Sequence, residues 1–122
     1  MPYSILYEPH GAIKTFLGKV EVWELMDSIR KVKEQPDFSE FSYLIYDFSK
    51  AALEMLGEGD IFMTSMLVME ARYTNSKMHC AYVTEDEQLG ERISHYYAEN
   101  RIPFPYGVFP SLEAARQWVT RK

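Results

Sequence analysis

Apolar positions along this chain change their period several times, and each change marks a new element. Short runs with apolar or β-branched residues, at 4–7, 13–17, 43–48, 80–84 and 106–109, read as strands. The first two are separated by Pro9, His10 and Gly11, a turn composition, and are expected to form a hairpin spanning 4–8 and 12–18. The period then lengthens. Val22, Met26, Ile29 and Val32 recur at spacings of three and four, with Trp23 and Leu25 beside them, which predicts a helix that Pro36 ends. Tyr43-Leu44-Ile45-Tyr46-Asp47-Phe48 is almost continuously apolar, as in a strand covered on both faces.

Residues 49–59 read as a loop, with Asp60 capping a helix over 61–73. The next strand is His79-Cys80-Ala81-Tyr82-Val83. Thr84-Glu85-Asp86-Glu87 then has the form of a capping box, with Leu89, Ile93 and Tyr97 as the stripe of the helix it opens. A Pro-containing loop leads to a short strand at 106–109. A final helix follows, with Leu112, Ala115 and Trp118 or Val119 facing inward. The expected architecture is α/β: a mixed sheet of about five strands opening with a hairpin, and about four helices, as one domain over residues 1–122.

Charge and composition narrow the function. The formal net charge is −5, and Arg30, Lys31 and Lys33 form the tightest basic group, read as a solvated helix face; nucleic acid is not the expected partner. No apolar run approaches the roughly 20 residues of a membrane span. The N-terminal residues lack a signal-peptide pattern, and the single cysteine, Cys80, suits a reducing compartment, so a cytoplasmic protein is expected.

The histidines His10, His79 and His95 fall on a turn, a strand and a helix without metal-ligand spacing. Neither a catalytic set nor a cofactor or metal site is expected. The most unusual composition is Met-rich: Met55, Met63, Met66, Met69 and Met78 lie in or near the 61–73 run. Phe62, Met63, Met66 and Tyr73 are therefore candidates for an apolar pocket or an interface between two copies, with Phe104 and Tyr106 as further aromatic walls.

Three segments carry a resemblance to a known family: the hairpin leading through Gly18 into Val22-Trp23-Glu24-Leu25, the central strand ending at Asp47, and the ending Val108-Phe109-Pro110-Ser111-Leu112-Glu113-Ala114-Ala115-Arg116-Gln117-Trp118-Val119. In element order and spacing the chain resembles the STAS-type, SpoIIAA-like proteins, which include anti-sigma-factor antagonists. The resemblance implies a non-enzymatic regulatory module that binds a protein partner, with regulatory-loop candidates Asp47, Ser49 and Asp60. The family's phosphorylatable serine has no counterpart here. The corresponding stretch is Gly57-Glu58-Gly59-Asp60-Ile61, which implies a module without that switch. The alternative expectation is a carrier or sensor of an apolar small molecule or lipid.

Overall fold

The computed structural model describes residues 3–52, 75, 77–102 and 104–120. Five strands form one sheet in the order β1-β2-β3-β4-β5: β1 (Tyr3–Glu8), β2 (Gly11–Lys19), β3 (Tyr43–Ala52), β4 (His79–Val83) and β5 (Tyr106–Phe109). The opening pair is antiparallel and the remaining three pairings are parallel, so the sheet is mixed, as expected. Glycine is required at the hairpin's return. A Cβ on Gly11 would stand 2.5 Å from the Tyr43 carbonyl oxygen on the next strand.

Three α-helices occur among the described residues, against about four expected: α1 (Val22–Lys33), α2 (Glu87–Asn100) and α3 (Leu112–Val119). The helix expected over 61–73 lies outside the described residues. A monotonic strand order with right-handed crossovers puts every connecting helix on one face of the parallel part. Helices α1 and α2 accordingly share a face, packing Ile29, Val32, Leu89, Ile93 and Tyr97 toward Ala12, Phe16, Leu44, Tyr46, Cys80 and Tyr82. Helix α3 follows the last strand and covers the other face, where Ala115 and Val119 meet Ile13, Tyr43, Ile45, Ala81 and Val83.

Several boundaries differ from the sequence expectation, each for a local reason. Strand β3 continues to Ala52, so residues 49–52 are strand and not loop. After a register shift between Thr15 and Leu17, β2 keeps pairing with it through Leu17–Lys50, Gly18–Ala51 and Lys19–Ala52. Helix α2 starts at Glu87, not at the Thr84 box. Asp86 is its N-cap, its carboxylate accepting from the amides of Gln88 and Leu89 at 2.9 and 3.3 Å, while Thr84 Oγ1 accepts from the Asp86 amide. Leu112 is exposed at the first turn of α3, leaving Ala115 and Val119 as the buried pair, with Trp118 packed on Phe109.

Polar ties fix the layers. Arg116 of α3 grips Glu8 of β1 through two hydrogen bonds of 3.0 Å, and the Tyr43 hydroxyl donates to the same carboxylate. On the other side the Tyr3 hydroxyl donates to Asp27 of α1, which also pairs with Lys31 at 3.3 Å. The buried Asn75 side chain donates to the carbonyls of Phe38 and Phe41, both at 2.8 Å, and accepts from the Lys77 amide. Each buried polar atom in that set has a partner, which removes its desolvation cost.

Candidate functional site

The regulatory-loop candidates fall at the end of the central strand. Asp47 pairs with Thr15 on one side and Val83 on the other, at the last row that β4 reaches. Beyond it β2 and β3 run on as a two-stranded extension in which Ser49, Lys50, Leu17 and Lys19 are exposed. Asp47 Oδ1 accepts from both the Ser49 amide at 3.0 Å and the Ser49 hydroxyl at 2.7 Å. The serine is thus turned back on its own strand. Asp60, Phe62, Met63, Met66 and Tyr73 lie outside the described residues, so Asp47 and Ser49 are the members of the predicted set that the structure brings together.

The most unusual chemistry lies elsewhere, inside the sheet's helix-covered face. Lys14 is wholly buried, 0% exposed, in the middle of β2. Strand alternation puts it on the same face as Ala12 and Phe16. Register places Ile5, Lys14, Tyr46, Tyr82 and Val108 in one row across the five strands. Lys14 Nζ donates to the Tyr46 hydroxyl at 3.2 Å and sits 4.4 Å from the centroid of the same ring. Tyr46 stacks on Tyr82 at 4.7 Å, and the Tyr82 and Tyr97 hydroxyls are 2.6 Å apart.

These groups surround a chamber of about 20 Å³, with Phe38, Leu44, Met78, Cys80, Phe104 and the α1 residues Ile29 and Val32 completing its wall. That volume holds a water-sized group. Among the described residues no carboxylate pairs with Lys14.

Burial decides the protonation of this cluster. Removal from water disfavours the ammonium and pulls Lys14 down to about 7, only partly opposed by the nearby Cys80. The same desolvation pushes the Cys80 thiol up to about 11 and raises the phenols of Tyr46, Tyr82 and Tyr97. Cys80 is therefore an inert thiol rather than a thiolate nucleophile. His79 points to the opposite face and packs edge-on against Trp118 at 5.4 Å.

A second hollow opens to the surface next to the chamber. It measures about 520 Å³ and is bounded by Tyr97, Ala98, Ile102, Phe104, Pro105 and Tyr106. Tyr97 and Phe104 belong to both walls, so these two rings partition the open hollow from the chamber. Tyr106 stacks on Tyr97 at 4.0 Å and props that partition.

Sequence reasoning passed over Lys14. The signal was its place between Ala12 and Phe16 on a period-two strand, which forces a lysine onto an otherwise apolar face. It was obscured because Ile13, on the opposite face, is also buried.

No protein-family model matches the chain, and no curated protein matches it. Solved structures do. An uncharacterised protein with a SpoIIAA-like fold from Shewanella loihica superposes with a TM-score of 0.62 at 11% identity, over 96% of this chain and 91% of that one. An anti-sigma factor antagonist from Mycobacterium paratuberculosis superposes with a TM-score of 0.60 at 14% identity, over 98% of this chain and 93% of that one. At these identities the likeness establishes architecture. With its opening hairpin, five-stranded mixed sheet and helices on both faces, the chain has the STAS-type, SpoIIAA-like fold.

Proposed function

We propose that this chain is a non-enzymatic regulatory module, a single cytoplasmic domain that acts by binding a protein partner and lacks a serine phosphorylation switch. The observation that carries the reading is the likeness to an anti-sigma factor antagonist over 98% of the chain. The overhanging end of β2 and β3 supplies a surface for it, since binding residues concentrate where a rigid scaffold ends. Ser49 and Lys50 are exposed there, and Asp47 is half-buried beside them. Without a partner the Ser49 hydroxyl is engaged by Asp47.

The test is affinity capture from a lysate of the source cells with the tagged full chain and a Ser49→Arg, Lys50→Glu variant. The reading predicts a stoichiometric protein with the wild type that is lost from the folded variant. Capture of nothing, or equal capture by both, contradicts it. Self-association is a companion proposal, drawn from the apolar composition around Phe62, Met63 and Met66. Sedimentation of the wild type against a Phe62→Glu, Met66→Glu variant tests it, a dimer that becomes a folded monomer being the expected result.

A second reading, a carrier or sensor of an apolar small molecule, is favoured by the paired chamber and hollow behind Tyr97 and Phe104.

A further inference from the structure

The polar groups around the chamber include one basic side chain and no acidic one. A charged lysine offers three N–H groups and no acceptor, whereas each phenol both donates and accepts. Among the described residues hydrogen bonds join Lys14 to Tyr46, Tyr82 with Tyr97, and Tyr97 with Cys80. A buried cation without an anionic partner is costly. The wall otherwise consists of hydrocarbon, aromatic rings and thiol: Ile29 and Val32 from α1, Leu44 and Cys80 from the sheet, and Phe38, Met78 and Phe104 from the connecting segments. What such a site lacks is an acceptor carrying negative charge.

Size limits the occupant. Pockets that enclose a whole small molecule measure roughly 300–1,000 Å³, whereas this chamber of about 20 Å³ admits only a head group. The open hollow of about 520 Å³ on the far side of Tyr97 and Phe104 is apolar enough for a hydrocarbon body, being bounded by Ile102, Phe104, Pro105 and two tyrosine rings.

From this geometry we infer that the chamber is the head-group site for an amphipathic carboxylic acid, its carboxylate received by Lys14 and the Tyr46 hydroxyl and its apolar body lying in the hollow beyond Tyr97 and Phe104. The inference rests on the apolar-ligand reading above and adds the charge and the position of the head group. Entry requires the Tyr97 and Phe104 rings to part, because both are buried in the closed arrangement. The bound anion restores the charged form of Lys14, since an opposite charge at hydrogen-bond distance offsets desolvation.

Calorimetric titration of the full chain with octanoate and with 1-octanol, which share a tail and differ in the head, provides the test. Wild type is expected to bind octanoate one to one and 1-octanol at least tenfold more weakly. Lys14→Met, which keeps the stem and removes the amine, is expected to lose at least tenfold in octanoate affinity. Tyr46→Phe, which removes a single oxygen, is expected to lose a smaller factor while remaining folded by circular dichroism. Equal binding of both probes overturns the carboxylate assignment and leaves the apolar-ligand reading standing. Octanoate binding unchanged by Lys14→Met overturns the site. Binding of neither probe overturns both.

Discussion

Lys14 Nζ stands 3.2 Å from the hydroxyl oxygen of Tyr46 and 4.4 Å from the centre of its ring, with no part of the lysine open to solvent. A cation so placed gains one hydrogen bond and a cation–π contact but loses its hydration. The balance brings the neutral amine within reach near pH 7, where an exposed lysine is charged.

Stability should therefore rise with pH in an unusual window. The folded-state pKa of Lys14 is lowered to about 7, while the unfolded chain keeps the ordinary 10.5. Between those values the unfolded state binds more protons, so each rise in pH favours the fold; below about 7 the full cost is present. Lys14→Met should be more stable than wild type by several kcal/mol at pH 6, and by much less at pH 10. Urea unfolding of both proteins at the two pH values checks this. A methionine variant that is less stable at pH 6, or a difference independent of pH, would contradict it.

The opposite face yields a prediction of the other sign. Arg116, and after it Tyr43, hold the Glu8 carboxyl below its ordinary value of 4.5. A depressed carboxyl contributes stability above its unfolded pKa and loses it as pH falls through the folded one. Arg116 is partly exposed, so the effect is modest: Glu8→Gln should cost about 1 kcal/mol at pH 7. That difference should shrink as pH falls below 4.5, as thermal melts through the acid range would reveal. A difference that never diminishes in acid would show that the contact acts through packing alone.

Ile45 is fully buried on β3 beneath Ala115 and Val119. Ile45→Asp should abolish folding, because an unpaired buried carboxylate costs several kcal/mol against a total stability of about 5–15 kcal/mol. A soluble Ile45→Asp protein with a cooperative melt would refute the placement of the central strand.

Phosphorylation at Ser49 is expected to be absent. Its hydroxyl donates to Asp47 at 2.7 Å, and a phosphate there would face that carboxylate. Incubation with source-cell lysate and ATP, followed by mass spectrometry, should return the unmodified residue. Stoichiometric phosphate on Ser49 would restore the switch that the altered 57–61 stretch argues against.

The layered fold was legible because its signals are local. Pro9-His10-Gly11 marks the hairpin, the stripe through Ile29 and Val32 marks α1, and the unbroken run from Tyr43 to Phe48 marks a doubly covered strand. The extension of β3 to Ala52 was not legible. Ser49 and Lys50 look like loop residues, and the strand continues past them because Lys50, Ala51 and Ala52 pair with Leu17, Gly18 and Lys19, more than thirty positions away. The start of α2 was misplaced for a smaller reason: Thr84 and Asp86 both suit a cap, and only the backbone decides between them. The chamber depends on register, since Lys14, Tyr46 and Tyr82 become neighbours only after three strands align. The sequence does carry the alternation that turns Lys14 inward, but not what it will meet there.

Everything assigned to the chamber depends on Lys14 lying inside it, shut off from solvent. Carbon-13 NMR of the full chain with labelled lysine side chains measures this directly, with Lys14→Met identifying the resonance. The account predicts that the Lys14 resonance titrates near pH 7. A Lys14 resonance that titrates at the ordinary lysine value of 10.5 would contradict it.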